Sequence, residues 1–210
     1  MLIPFNQIVK KYGKPNGIIH IGAHLAEERT SYKEFEIENI VWIEANPEVF
    51  NKTNYLNSEK EIVLNYAISD VDNEIHEFNI ASNGESSSLL ELELHRIHHP
   101  HINVIKKIHV KTRRMDSIIN ELDLDLSRFN FINLDIQGVE LKALKGFGNY
   151  LDKIDYIYTE VNSNYLYKDC SLIDDIDGYL SKFNFERIET SMTKFEWGDA
   201  FYVRRKNVNI

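Results

Sequence analysis

Cysteine is almost missing from this 210-residue chain. Cys170 stands alone, so no disulfide can form within the chain, and a reducing, cytoplasmic setting is expected. Proline and glycine are also sparse, with four and nine residues, and no repeat or low-complexity linker divides the sequence. No run approaches the ~20 apolar residues that cross a bilayer. Pro4 interrupts the opening Met1-Leu2-Ile3 too early for the apolar stretch of a signal peptide. Basic residues are outnumbered, 24 against 33 acids, for a net charge of −9. This argues against a nucleic-acid surface, which needs a basic face, and suits a small ligand that carries positive charge. The remaining composition, 43% hydrophobic and 11% aromatic, is that of an ordinary globular protein with one core, here a single domain over 1–210.

Short apolar runs alternate with segments of helical period. Gly17–Ile21, Ile40–Ile43 and Ile62–Leu64 read as buried strands. The first is followed by a helical segment over 25–37 carrying Leu25, Tyr32 and Phe35. The second is followed by Asn46-Pro47, an N-cap with proline at the first helical position. Units of this length predict crossovers in a parallel sheet. The middle of the chain breaks the rhythm. Two alternating stretches, 74–80 and 108–112, flank a polar loop over 81–107 that is long enough for a lid or substrate-binding insert. Regularity then returns with a helix over 115–122, a strand over 131–134, and a helix from about Val139 to a C′ glycine at Gly146. A strand at 156–158 and an amphipathic helix over 172–183 come next. A closing hairpin pairs 185–190 with 200–204 across Trp197-Gly198-Asp199.

Candidate chemistry gathers at the strand ends. Gly22-Ala23-His24 follows the first strand, where glycine allows a tight turn toward an exposed helix N-terminus. The run lacks the later glycines that pyrophosphate needs, which weakens a dinucleotide reading. Glu44 ends the second strand at the spacing of an acid that holds ribose hydroxyls, a task for which a carboxylate's acceptor-only oxygens are suited. Asp135 and Glu160 end two later strands, so three carboxylates share one sheet edge and invite a cationic ligand. In the insert, Ser87, Ser88 and His95 are candidates for hydrogen bonds to a polyol, and Asn162 lies just beyond Glu160. Four histidines between 95 and 101 without a supporting cysteine read as a solvated loop rather than a metal site. Trp197, Tyr165 and Tyr167 are candidates to stack on a sugar.

Four motifs in order, Ile21-Gly22-Ala23-His24, Trp42-Ile43-Glu44-Ala45-Asn46-Pro47, Ala67-Ile68-Ser69-Asp70, and Asp135-Ile136-Gln137-Gly138-Val139-Glu140 with Leu144-Lys145-Gly146, resemble the FkbM family of S-adenosylmethionine-dependent methyltransferases. The resemblance runs from about residue 17 to 204. It implies a Rossmann-like class I methyltransferase fold, α/β, with seven mostly parallel strands and a C-terminal antiparallel hairpin. It also implies methyl transfer to a hydroxyl of a carbohydrate, glycan or secondary metabolite. Gly22, Ala23 and His24 would border the methionine part of the cofactor, Glu44 and Asn46 the ribose, and Ala67, Ile68 and Ser69 the adenine. Asp135 would lie near the amino group or the transferred methyl. His20 stands where many relatives have aspartate, so its contacts toward the cofactor are open.

A hydroxyl acceptor needs a base, and Asp135 and Glu160 are favoured for it by position, ahead of His95. Two other functions compete with methyl transfer. A module that binds the cofactor without transferring it is kept open by His20. A nicotinamide oxidoreductase would need Tyr-x-x-x-Lys on a helix, and the only such spacing, Tyr202 to Lys206, falls on the predicted last strand.

Overall fold

The computed structural model describes residues 1–205; Lys206, half of the Tyr-x-x-x-Lys spacing, lies outside them. The strands are β1 (Gly17–Ile21), β2 (Asn39–Ile43), β3 (Glu61–Leu64), β4 (Ala67–Ile68), β5 (Ile75–Ala81), β6 (Val104–Arg113), β7 (Phe131–Leu134), β8 (Tyr156–Asn162), β9 (Phe185–Met192) and β10 (Trp197–Arg204). The helices are α1 (Phe5–Tyr12), α2 (Arg29–Glu34), α3 (Pro47–Thr53), α4 (His95–His98), α5 (Met115–Glu121), α6 (Glu140–Gly146) and α7 (Ile173–Leu180). Seven strands form one sheet in the order β3-β2-β1-β7-β8-β10-β9. β1 pairs in parallel with both β2 and β7, and β10 runs antiparallel to β8 and β9. Chain order reverses between β1 and β7, and in open α/β sheets that reversal leaves a crevice beyond the strand ends.

The apolar runs are continuous because both faces of the sheet are covered. Ile19, Ile21, Val41 and Ile43 point into one core with Met115, Leu144, Ile176 and Leu180 from α5, α6 and α7. Ile18, Ile40 and Trp42 point the other way, against Phe5 and Ile8 of α1 and Tyr32 of α2. Each such side chain contributes about 1.5–3 kcal/mol on burial. The insert keeps its own sheet, β4-β6-β5, in which β5 and β6 form an antiparallel pair.

Local differences from the sequence expectations have physical causes. α1 was not expected. Pro4 at its N-cap starts the helix, and burial of Phe5 and Ile8 holds it. The helix expected over 25–37 shrinks to α2, because residues 22–28 form a loop with His24 and Ala26 at positive φ and Leu25 exposed. Gly146 is not a C′ residue but the last residue of α6, followed by right-handed Phe147. A Cβ there would stand 2.2 Å from the Ser69 carbonyl oxygen, so close helix–loop packing selects the glycine. The amphipathic helix over 172–183 ends at Leu180 and finishes as a tighter 3-10 turn, Ser181–Phe183. Trp197, Gly198 and Asp199 are not the turn of the last hairpin but the start of β10, where Gly198 packs against the Ser191 carbonyl.

Trp42 and β3 are tied by charge. Glu61 is buried and accepts from Trp42 Nε1 at 2.9 Å, from Arg29 at 2.8–3.2 Å and from Lys33 Nζ at 2.9 Å. Burial pushes its carboxyl up, but the hydrogen bonds from Arg29, Trp42 and Lys33 outweigh burial and hold it at about 2.

Two stability predictions follow from this packing. The Glu61 contribution is complete above its unfolded pKa and is lost as pH falls from about 4.5 to about 2. Urea midpoints measured across that window should drop in the wild type and drop less in Glu61→Gln. Gly146→Ala should cost about 1–3 kcal/mol by overpacking, read from the same urea curves, and an unchanged midpoint would show that α6 can retreat from Ser69.

Candidate active site

The site begins where β1 ends. Gly22 turns at φ +84°, and a Cβ on it would lie 1.7 Å from the Asp135 carbonyl oxygen beyond β7. Only glycine meets both demands. The Gly22 and Ala23 amides donate to the Ile43 carbonyl at 2.9 and 3.0 Å, which joins the turn to the end of β2. Glu44, one residue on, completes the join. Its Oε2 accepts from the His24 amide at 2.9 Å and its Oε1 from the Asn46 amide at 2.7 Å. Burial pushes the Glu44 carboxyl up, and the amides of Asn46 and His24 pull it back. Each oxygen keeps a further lone pair for a ligand hydroxyl. Asn46 caps α3 as expected, its Oδ1 accepting from the Glu48 amide at 3.0 Å.

A second cluster hangs on Gln137, to which sequence reasoning assigned no role. Gln137 sits at φ +57° just after Asp135. Its amide nitrogen donates to Asp135 Oδ1 at 2.6 Å and to Glu160 Oε2, while its carbonyl accepts from the Tyr167 hydroxyl. Asp135 is exposed, whereas Glu160 is 4% exposed. Burial first, then the neighbouring Asp135 charge, push the Glu160 carboxyl well above the usual range. Beneath them Glu140 accepts from the Ile136 and Gly138 amides at 3.0–3.1 Å and is pushed up to about 7, chiefly by burial. It fixes the turn that carries Gln137. The only sequence signal for either residue was their place in the Asp135–Glu140 motif.

Two recesses open along this edge. The narrower, about 630 Å³, runs over Glu44, Asn46, Ala67, Ile68 and Ser87, with apolar walls from Ile43, Phe78 and Leu89. The wider, about 1440 Å³, reaches His20, Ala23, His95, Glu160 and Trp197. Gly22, His24, Glu85, Asp135 and Gln137 line both, so the recesses meet there. Among the described residues no lysine or arginine lines either one.

Four expected residues lie outside both recesses, among them Tyr165, which is exposed. Ser69 bonds Asp70 and backs onto Gly146, Ser88 braces the Gln137 carbonyl at 2.7 Å, and Asn162 is fully buried with neither amide atom paired. Ser87 falls on the narrower side because its hydroxyl closes the turn at the Gly84 carbonyl, 2.6 Å away. His20 packs against Trp42 with ring centroids 5.2 Å apart, and burial pushes its pKa down. The insert histidines stack in a row rather than around a point: the His99 ring lies 4.9 Å from His95 and 6.1 Å from His101, His95 also packs on Tyr167, and His98 bonds Glu196. Among the described residues no group of three or more metal-ligating side chains is gathered.

The Gly22 turn gives a direct test. Gly22→Ala should lose more than tenfold in affinity for an adenosyl ligand by calorimetry, because the added carbon displaces the Asp135 carbonyl. Wild-type affinity would show that this crossing does not shape the site.

Comparisons with known proteins agree with this architecture. No curated protein sequence matches the chain. Among solved structures, an uncharacterized protein from Listeria monocytogenes superposes with a TM-score of 0.53 at 9% identity, covering 96% of this chain and 67% of that one. A ribosomal protein L11 methylase from Lactobacillus delbrueckii gives 0.52 at 10%, covering 96% and 76%. Magnesium protoporphyrin IX methyltransferase from Synechocystis, solved with bound S-adenosylmethionine, gives 0.50 at 9%, covering 95% and 76%. At these identities the likeness concerns the fold, which is the class I methyltransferase fold. The model of the FkbM methyltransferase domain matches residues 20–187, most of the chain. This protein therefore belongs to the FkbM methyltransferase family and is an S-adenosylmethionine-dependent methyltransferase.

Proposed function

We propose that this methyltransferase is an O-methyltransferase, acting on a hydroxyl of a carbohydrate, glycan or related secondary metabolite. The adenosyl end of the donor would lie in the narrower recess and the acceptor in the wider one. The observation that carries this reading is the shared wall at Gly22, His24, Asp135 and Gln137, where a donor in one recess meets an acceptor in the other.

The residues fit the donor. Apolar walls at Phe78, Leu89 and Ile68 suit an adenine, and the free lone pairs of Glu44 suit vicinal ribose hydroxyls. No phosphate has to be held, so the turn after β1 works with one glycine in place of three. Carboxylates without a basic partner favour the positive charge of the donor. The bound cofactor supplies a methyl group on a sulfonium, which makes that carbon electrophilic.

The chain's own part is alignment and proton transfer. A bound donor would offer its methyl carbon with a neutral thioether as leaving group, so the chain has only to bring the acceptor oxygen in line and take its proton. The hydroxyl proton passes to Asp135, the exposed member of the carboxylate pair. Gln137 holds Asp135 and Glu160 in fixed positions from one amide nitrogen. His20, wedged between Tyr32 and Trp42, has a packing role that does not require loss of transfer. The buried lone thiol of Cys170 is compatible with the reducing compartment expected from composition.

Four measurements test this reading. Glu44→Ala should weaken S-adenosylmethionine binding by about 1–3 kcal/mol in calorimetry, since ribose hydroxyls lose a charged partner. Asp135→Asn should lower kcat by about 10²–10⁴ if it takes the proton. Burial and the neighbouring Asp135 hold the Glu160 carboxyl well above the ordinary carboxylate range, so the pH profile of kcat/KM should carry a limb from it that Glu160→Gln removes. A screen of hydroxylated acceptors that yields no methylated product while the donor binds would sink the proposal.

A further inference from the structure

The wider recess carries acid on every side. Glu27 and Glu28 approach from the loop before α2, Glu85 from the insert, and Asp135, Glu160 and Asp199 from three strands. Among the described residues no lysine or arginine balances them. The donor's own charge does not account for all six. Glu160 and Asp199 face each other across β8 and β10, two and three strands away from β1 and therefore on the acceptor side of the crevice. Both are nine-tenths buried or more, which pushes both carboxyls up and leaves them poised to ionise when a cation is brought against them; Asp199 is held in place by the Tyr158 hydroxyl and by the Leu2 amide at 2.5 Å.

A second observation concerns His95, which is 5% exposed and lines the same recess. Its Nε2 meets Ser86 Oγ at 3.1 Å, but its Nδ1 has no hydrogen-bond partner. A buried polar atom left unpaired costs free energy that a ligand group can restore. With Nε2–H donating to Ser86, Nδ1 is an acceptor, so it asks for a donor, as the carboxylates do. Burial and the adjacent His99 hold the His95 imidazole neutral, at about 4, so it adds no positive charge at neutral pH. Trp197 completes the wall with an aromatic ring, a surface on which ammonium groups settle.

We propose that the acceptor carries a protonated amine near the hydroxyl that is methylated, so that the substrate class is an amino sugar or amino alcohol. This rests on the reading of the wider recess as the acceptor site. A neutral polyol would gain hydrogen bonds but leave most of the carboxylates uncompensated, because only the Met1 amino group near Asp199 and His24 beside Glu27 meet them within the chain. A phosphorylated or carboxylated sugar would meet them with like charge, which disfavours binding.

The test uses the full chain at pH 6.5, loaded with S-adenosylhomocysteine for calorimetry and with labelled S-adenosylmethionine for turnover. Acceptors are amino sugars and amino alcohols, each paired with its N-acetylated and its carboxylated counterpart. The amine-bearing member should bind at least tenfold more tightly than its N-acetyl partner and show the higher kcat/KM. In the double variant Glu28→Gln with Glu85→Gln, whose side chains make no hydrogen bond among the described residues, that ratio should fall toward one. Equal or better use of the N-acetylated or carboxylated members would overturn the amine requirement and leave O-methylation standing. Failure of every member to bind or react, with donor affinity intact, would overturn both.

Discussion

The site depends on two backbones crossing at close range. Where the Gly22 turn passes the Asp135 carbonyl there is no room for a Cβ, and that contact sets the distance between β1 and the loop after β7. Everything chemical is referred to it. Glu44 grips His24 and Asn46 on one side, and Gln137 grips Asp135 and Glu160 on the other. The sheet brings these loops together because its chain order reverses between β1 and β7.

The electrostatic character of the site comes from what is left out. Carboxylates are buried near one another without lysine or arginine, so Glu160, Glu140 and Glu44 are all pushed up by desolvation. Elsewhere the fold treats acid differently. Glu61 receives Arg29, Lys33 and Trp42 and is pulled down to about 2. The contrast separates a structural ion cluster, which is fully paired, from a pocket whose charge is left for ligands to meet.

Much of the frame was legible in the sequence. Continuous β-branched runs marked the strands buried on both faces, and Asn46-Pro47 marked the start of α3. Strand-end acids were also legible, because a polar residue closing an apolar run has few other places to go than the sheet edge. The errors arose where a residue type admits two uses. Gly146 serves close packing rather than a helix C-terminus, and Gly198 sits inside β10 rather than in a turn. Short α1 was hidden behind Pro4, whose role as a helix start was not read.

The sequence by itself determined the class of the fold and the loops that bear chemistry, since periodicity, caps and strand-end carboxylates are local properties. The tertiary structure alone decided which side chains share a recess. Gln137 joins acids from two strands, Tyr167 reaches it from 30 positions away, and Ser87 and Ser88 part company within one turn. Such partnerships are set by strand order and by the paths of loops over the sheet edge, quantities that no short window of residues encodes.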